Sequence, residues 1–248
     1  MKVQGTIFAG AMALLLTLAA RPAIADCLEG NRTTSPAEKA AHKKVGAVLG
    51  KAFHAPEGWK NSGEKPHRVP GSVCKNSTGE RLNATYKVSF MEMDGAKKRQ
   101  EKMKAEMMTL AAGGPGDRDA MQAKMEAIQK MTQELQRDTI IEVEVKLNQE
   151  LVLDPGLPIT VPGGYRAFQA PQPGEIPGQR RTTVLMGEWT KDEEGHWRAP
   201  RKKGLPVQAI QTATVQVKAG EERTQSFLAS SNLKSIAALL DAPAKAGK

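Results

Sequence analysis

The sequence predicts an α+β domain: an antiparallel sheet with helices on one face, and an antiparallel, coiled-coil-like helical hairpin inserted between two strands. Three observations lead there. "RLNATYKVSFMEM" alternates, with Leu82, Ala84, Tyr86, Val88 and Phe90 on one face and Asn83, Thr85, Lys87 and Ser89 on the other. "DTIIEVEVKLNQEL" repeats the pattern, setting Ile141, Val143, Val145 and Leu147 against Glu142, Glu144, Lys146 and Asn148. Between these strands, residues 95–137 hold two runs of helical spacing separated by "GGPGD".

The chain opens with the form of a secretory signal over residues 1–25: Lys2, an apolar run from Ile7 to Ala20, then Ala23-Ile24-Ala25 with small residues where a signal peptidase reads. That run is about 14 residues, short of the roughly 20 of a membrane span. No later stretch matches it, so a mature chain beginning at Asp26 is expected to be periplasmic or secreted and not membrane-spanning. A lipid anchor on Cys27 would need a small residue before it, and Asp26 stands there. In an oxidising compartment Cys27 and Cys74 are expected to pair, closing a loop of about 48 residues for roughly 4 kcal/mol of unfolded-state constraint. Nothing resembles a CxxC spacing, so this is a structural staple and not a redox pair.

The net charge is +9, and loss of the signal removes Lys2 and Arg21 but no acid, leaving +7. Attraction to anionic envelope surfaces follows. Nucleic acid does not: the basic residues are scattered, and aromatics make up 4% of the chain with no alternation against arginine.

The expected single domain runs from 26 to 240. Ser35, Pro36 and Glu38 form a capping box before a helix over 36–53. Residues 54–80 are expected as loop with one short strand near 69–74. Within the hairpin insertion, Met103, Met107 and Leu110 form one stripe and Met121, Met125, Ile128, Thr132 and Leu135 the other, both at seam spacing. Residues 151–181, with six prolines and five glycines, are expected as a long irregular loop. A strand pair follows with its turn at Asp192–Gly195, then a strand over 207–220, a helical region over 221–240 and a loose tail over 241–248.

Three catalytic signatures are missing: G-x-S-x-G, H-E-x-x-H and an acidic calcium loop. His42, His54, His67 and His196 lie in separate segments. Glu38 and His42 have a spacing that can chelate a metal, although solvated helix faces carry the same spacing. Trp59, Trp189 and Trp197 belong to the core by default, with Tyr165 and Phe168 available as aromatic contacts if the 151–181 segment covers them.

The methionines admit three uses. Six of the eleven fall in residues 102–131. Seam packing leads, a partner-binding surface follows, and Cu(I) ligation through Met91, Met93, Met103 and Met107 comes last, because no histidine lies between 68 and 195. Met108 and Met131 fall off the seam, so they join Tyr165 and Phe168 as expected partner contacts. The sequence thus points to an exported, non-enzymatic binding or scaffold protein without a cofactor, engaging a protein of the cell envelope. A Met-based Cu(I) carrier and a small secreted hydrolase with an unmarked site stand behind it.

Overall fold

The computed structural model describes residues 30–74, 82–112, 118–153, 155–171, 178–200, 205–206 and 208–241. In chain order the elements are β1 (Asn31–Thr33), α1 (Pro36–Ala52), β2 (Trp59–Lys65), β3 (Ser72–Cys74), β4 (Ala84–Glu92), α2 (Met93–Ala112), α3 (Arg118–Thr139) and β5 (Ile140–Leu147). They continue with β6 (Leu151–Val152), β7 (Leu157–Ile159), β8 (Arg166–Pro171), β9 (Gln179–Gly187), β10 (Thr190–Lys191), β11 (Trp197–Arg198), β12 (Thr212–Gly220), α4 (Glu221–Ser230) and α5 (Leu233–Ala237).

This corrects the expected fold class. Among the described residues the chain is mostly sheet, with twelve strands in three antiparallel sheets and five helices, and a seven-stranded sheet ordered β2-β4-β5-β12-β9-β8-β7 dominates. An α+β domain with helices on one face and a coiled-coil hairpin does not describe it. The sequence reading missed strands whose residues are polar or interrupted by proline. β2, with mostly exposed side chains, pairs only with β4 at the sheet edge, through a bulge between Asn61 and Gly63. Segment 151–181, expected as irregular loop, supplies β6, β7, β8 and the start of β9. Its Pro158 sits on the edge strand β7, the place in a sheet where a missing N–H costs least, and Pro171 ends β8.

The coiled-coil reading of 95–137 is likewise corrected. Helices α2 and α3 touch where Thr132 Oγ1 donates to Met103 Sδ at 3.3 Å. Met107 and Met125, which the heptad spacing points inward, are instead 53% and 57% exposed. Met103, Ile128 and Thr132 are half-buried, and the side chains of Leu110, Met121 and Leu135 lie outside the described residues.

Several local readings survive. Glu38 N donates to Ser35 Oγ at 3.2 Å and Ser35 N donates to Glu38 Oε2 at 2.7 Å, the reciprocal cap of α1. The alternation in β4 and β5 puts Ala84, Tyr86, Val88 and Phe90 beside Leu147, Val145, Val143 and Ile141 in register. With Ala213, Val215 and Val217 of β12 they form the floor of the main core, filled from α1 by Val45 and Leu49 and from α4 and α5 by Phe227 and Ile236. The other face carries a smaller core of Val152, Phe168, Leu185, Trp189 and Ala199, under the three-stranded sheet β10-β11-β6. Asp241, expected in the tail, instead exchanges hydrogen bonds with Ile210 at 2.8 and 2.6 Å. The expected signal, Cys27, the Cys74 side chain and residues 242–248 lie outside the described residues.

The chain leaves β5 through Asn148, whose φ of 56° is the one positive value at a non-glycine among the described residues. Asparagine tolerates this region because its short amide can satisfy backbone groups nearby. Here Nδ2 donates to Leu82 O and Ala209 O, both at 2.9 Å, and Oδ1 accepts from Gln211 N at 2.7 Å. Asn148→Ala strands these three backbone groups and is expected to lower unfolding stability by roughly 3 kcal/mol in urea titration. Asn148→Gly keeps the backbone conformation without the amide, so a variant as stable as the parent would show that the hydrogen bonds are not what matters.

Candidate functional site

Three places carry exposed or unusual chemistry. The first is the helical insertion. Met93 is 42%, Met107 53%, Met108 61% and Met125 57% exposed, four of the eight large hydrophobic residues exposed among those described. Met131 is half-buried. The Cu(I) set does not converge: Met91 ends β4, Met93 begins α2, and Met107 lies a further fourteen residues along, about 20 Å at helical rise. Met91 and Met93 also do not share a strand face, because the strand stops between them.

The aromatic residues turn inward. Phe168 and Trp189 are each 7% exposed in the smaller core, with Trp189 Nε1 donating to Met186 O at 3.0 Å. Arg166 lies 4.3 Å over the Trp197 ring and donates to Trp189 O at 3.2 Å, which closes the edge of that core. Tyr165 is half-buried against the main core, and Trp59 packs there too, under Arg223. These side chains hold layers together.

The second place is the polar face of the large sheet, which sequence alternation marks as solvated. Register assembles it into rows that no single strand displays. Lys87, Glu144, Gln216, Thr183 and Phe168 stand side by side across β4, β5, β12, β9 and β8, and Ser89, Glu142, Lys218, Arg181 and Ala170 form the adjacent row. Over the β2–β12 side lies an open trough of about 410 Å³. At its centre Glu144 accepts from Lys87 at 2.9 Å and from Lys146 at 3.4 Å. Burial alone would raise the Glu144 carboxyl, but the two ammonium groups more than offset it and hold it below the usual carboxylate range.

Past Gln216 a smaller cavity opens, bounded by β9, β12 and by Gln149, Leu151, Val152, Leu153 and Pro155. Gln149 is committed there: it accepts from Thr214 Oγ1 at 2.7 Å and donates to Leu151 O at 2.8 Å. Thr183 is not. It is 1% exposed, and its hydroxyl has no hydrogen-bond partner among the described residues, a state that costs about 1–3 kcal/mol for a buried hydroxyl.

The third place joins α1 to the segment before β3. His42 and His67 meet with Nδ1 and Nε2 2.6 Å apart. The ring centroids are 4.8 Å apart and the planes 22° apart. That separation is about the N···N gap plus one ring radius on each side, so the imidazoles meet edge to edge and share one proton along the line. Glu38 does not join them as a ligand. Its oxygens accept both Arg32 terminal nitrogens, at 2.7 and 2.8 Å, as well as the Ser35 amide. The Arg32 hydrogen bonds, then the Ser35 amide, hold the Glu38 carboxyl down at about 2.

Asp192, Glu194 and His196 bring ligand-type atoms within 4.8 Å of one another at the β10–β11 turn. The Asp192 carboxylate already accepts the Arg198 Nε at 2.6 Å and the His196 amide at 2.8 Å, so it fastens the turn. Among the described residues, no helix is long and apolar enough to cross a membrane. Comparison with family models, with curated proteins and with solved structures finds no match, so the functional reading rests on the chemistry of these places.

Burial lowers both imidazole pKa values below 6.5; at His42 Glu38 partly opposes this, and at His67 the His42 ring adds to it. The unfolded chain therefore takes up protons first on acidification, and the stability of this pair is present above about 6.5 and lost below it. Glu38 contributes in a separate window, lost only as pH falls below 4.5 towards 2. Urea midpoints measured from neutral pH down to 5 are expected to fall in the parent and to flatten in His67→Asn. A parallel slope in that variant would remove the histidine pair as the cause.

Proposed function

We propose that the protein is an exported, non-catalytic binding or scaffold protein that engages a protein partner of the cell envelope through the methionines displayed on α2 and α3. The carrying observation is the exposure of Met93, Met107, Met108 and Met125 on one inserted pair of helices. Isolated exposed hydrophobics are ordinary, but several exposed methionines along one pair of helices make a surface that adapts to apolar partners. Exposed Lys97, Lys98, Lys102 and Lys104 border it, which suits a partner whose apolar contact is rimmed with acids. The secretory form of residues 1–25 supports the compartment, and the +7 charge of the chain after Ala25 adds attraction to anionic envelope surfaces.

The test is the triple variant Met107→Glu, Met108→Glu, Met125→Glu, compared with the parent by chemical crosslinking in whole envelopes. The crosslinked partner is expected to disappear from the variant while stability changes by less than about 0.5 kcal/mol per exposed position. The same partner recovered at the same yield would show that the helix pair is not the contact surface.

A further inference from the structure

We propose that the cavity beside Thr183 binds a small carboxylate with a short hydrocarbon body. The cavity encloses about 250 Å³, below the roughly 300–1,000 Å³ of sites for drug-sized molecules. One wall is polar, made by Arg181, Thr183 and Gln216, and the other is apolar, made by Leu151, Leu153 and Pro155. A guest fitting both must be polar at one end and greasy at the other.

Thr183 is the observation that points to a ligand. The buried threonines around it are all engaged: Thr182 accepts from Gln169 at 3.3 Å, Thr212 donates to Gln149 O at 3.0 Å, and Thr214 donates to the Gln149 side chain at 2.7 Å. Thr183 lines the cavity and alone in this group has a buried hydroxyl without a hydrogen-bond partner among the described residues. Folding a threonine into such a position is unfavourable unless something enters the space to meet it.

Charge then selects the polar end. On β4, β5, β12 and β9 this face presents Lys87, Lys146, Arg181 and Lys218 against Glu142 and Glu144, an excess of cations. The guanidinium of Arg181 has five N–H donors in a planar fork, enough for several partners at once and matched to the two oxygens of a carboxylate. Thr183 and the Gln216 amide supply neutral donors beside it. Shape selects the other end: Leu153 is 58% exposed at the lip, and a few methylene groups lying against it and Leu151 would be taken out of water. Among the described residues none of α2 or α3 lines this cavity, and the inference does not draw on the methionine surface.

The full chain, isotope-labelled, is titrated with hexanoate while its backbone amides are followed by NMR, with acetate and hexylammonium as comparison probes. Hexanoate is expected to shift the Thr183 and Gln216 resonances, and acetate to bind at least roughly tenfold more weakly for want of buried methylenes. Thr183→Val, the same shape without the hydroxyl, is expected to weaken hexanoate roughly tenfold. Leu153→Ser, at an exposed position, is expected to narrow the difference between hexanoate and acetate. Absence of any hexanoate shift, hexylammonium binding as tightly as hexanoate, or undiminished hexanoate binding in a folded Thr183→Val would each overturn the proposal. Where Thr183→Val does not fold, Leu153→Ser decides alone, and an unchanged chain-length preference overturns it.

Discussion

The amide of Asn148 is the constraint on which the rest of the structure turns. It ends β5 in a backbone conformation that most side chains avoid, and it is held there by carbonyls from before β4 and before β12 and by the Gln211 amide. Three strands that are adjacent in the sheet but far apart in the chain are thereby indexed to one side chain. The positive φ also bends the chain out of the sheet plane, so that Gln149 and the residues after it double back over the polar face instead of continuing past its edge. Thr212 and Thr214 then fasten Gln149 to β12.

That reversal divides the sheet's second face into two environments. Towards β8 it carries the strand pairs that cover Phe168, Leu185 and Trp189 and make a second core. Towards β4 it leaves the lysine and glutamate rows open. Thr183 and Gln216 stand at the border, where apolar residues of the reversal face polar residues of the sheet. Concave sites with a few polar groups set among apolar walls arise at such borders, because neither layer can fill the gap with its own side chains. The histidine pair lies elsewhere, where α1 meets the segment before β3, and works with Thr34, which bonds Pro70 O at 2.6 Å, to hold that segment down.

Legibility followed how local the deciding interaction was. The cap of α1 was readable because Ser35, Pro36 and Glu38 lie within one turn. The alternation of β4 and β5 was readable because one side of each strand is buried by the same core. β2 and β7 were not readable: both are edge strands with polar or proline-bearing sequences, and their hydrogen bonds come from a neighbour the local pattern does not reveal. The heptad stripe in α2 and α3 was visible and misleading, since spacing says which residues face one way but not whether another surface meets them. His67 was one histidine among four until folding set it against His42, twenty-five residues away in the chain. Thr183 had no signal at all, being one of several threonines in an ordinary strand.

By itself, the sequence determined the start of α1, the two alternating strands, the positive charge and the lack of a G-x-S-x-G or H-E-x-x-H motif, because each depends on residues close together or on simple counts. The tertiary structure alone decided that sheet dominates the fold, which methionines reach solvent, which imidazoles meet, and which buried hydroxyl is left without a partner. Those outcomes depend on strand order and register, and register is set by pairings between segments far apart in the chain, as Lys218 opposite Glu142 shows.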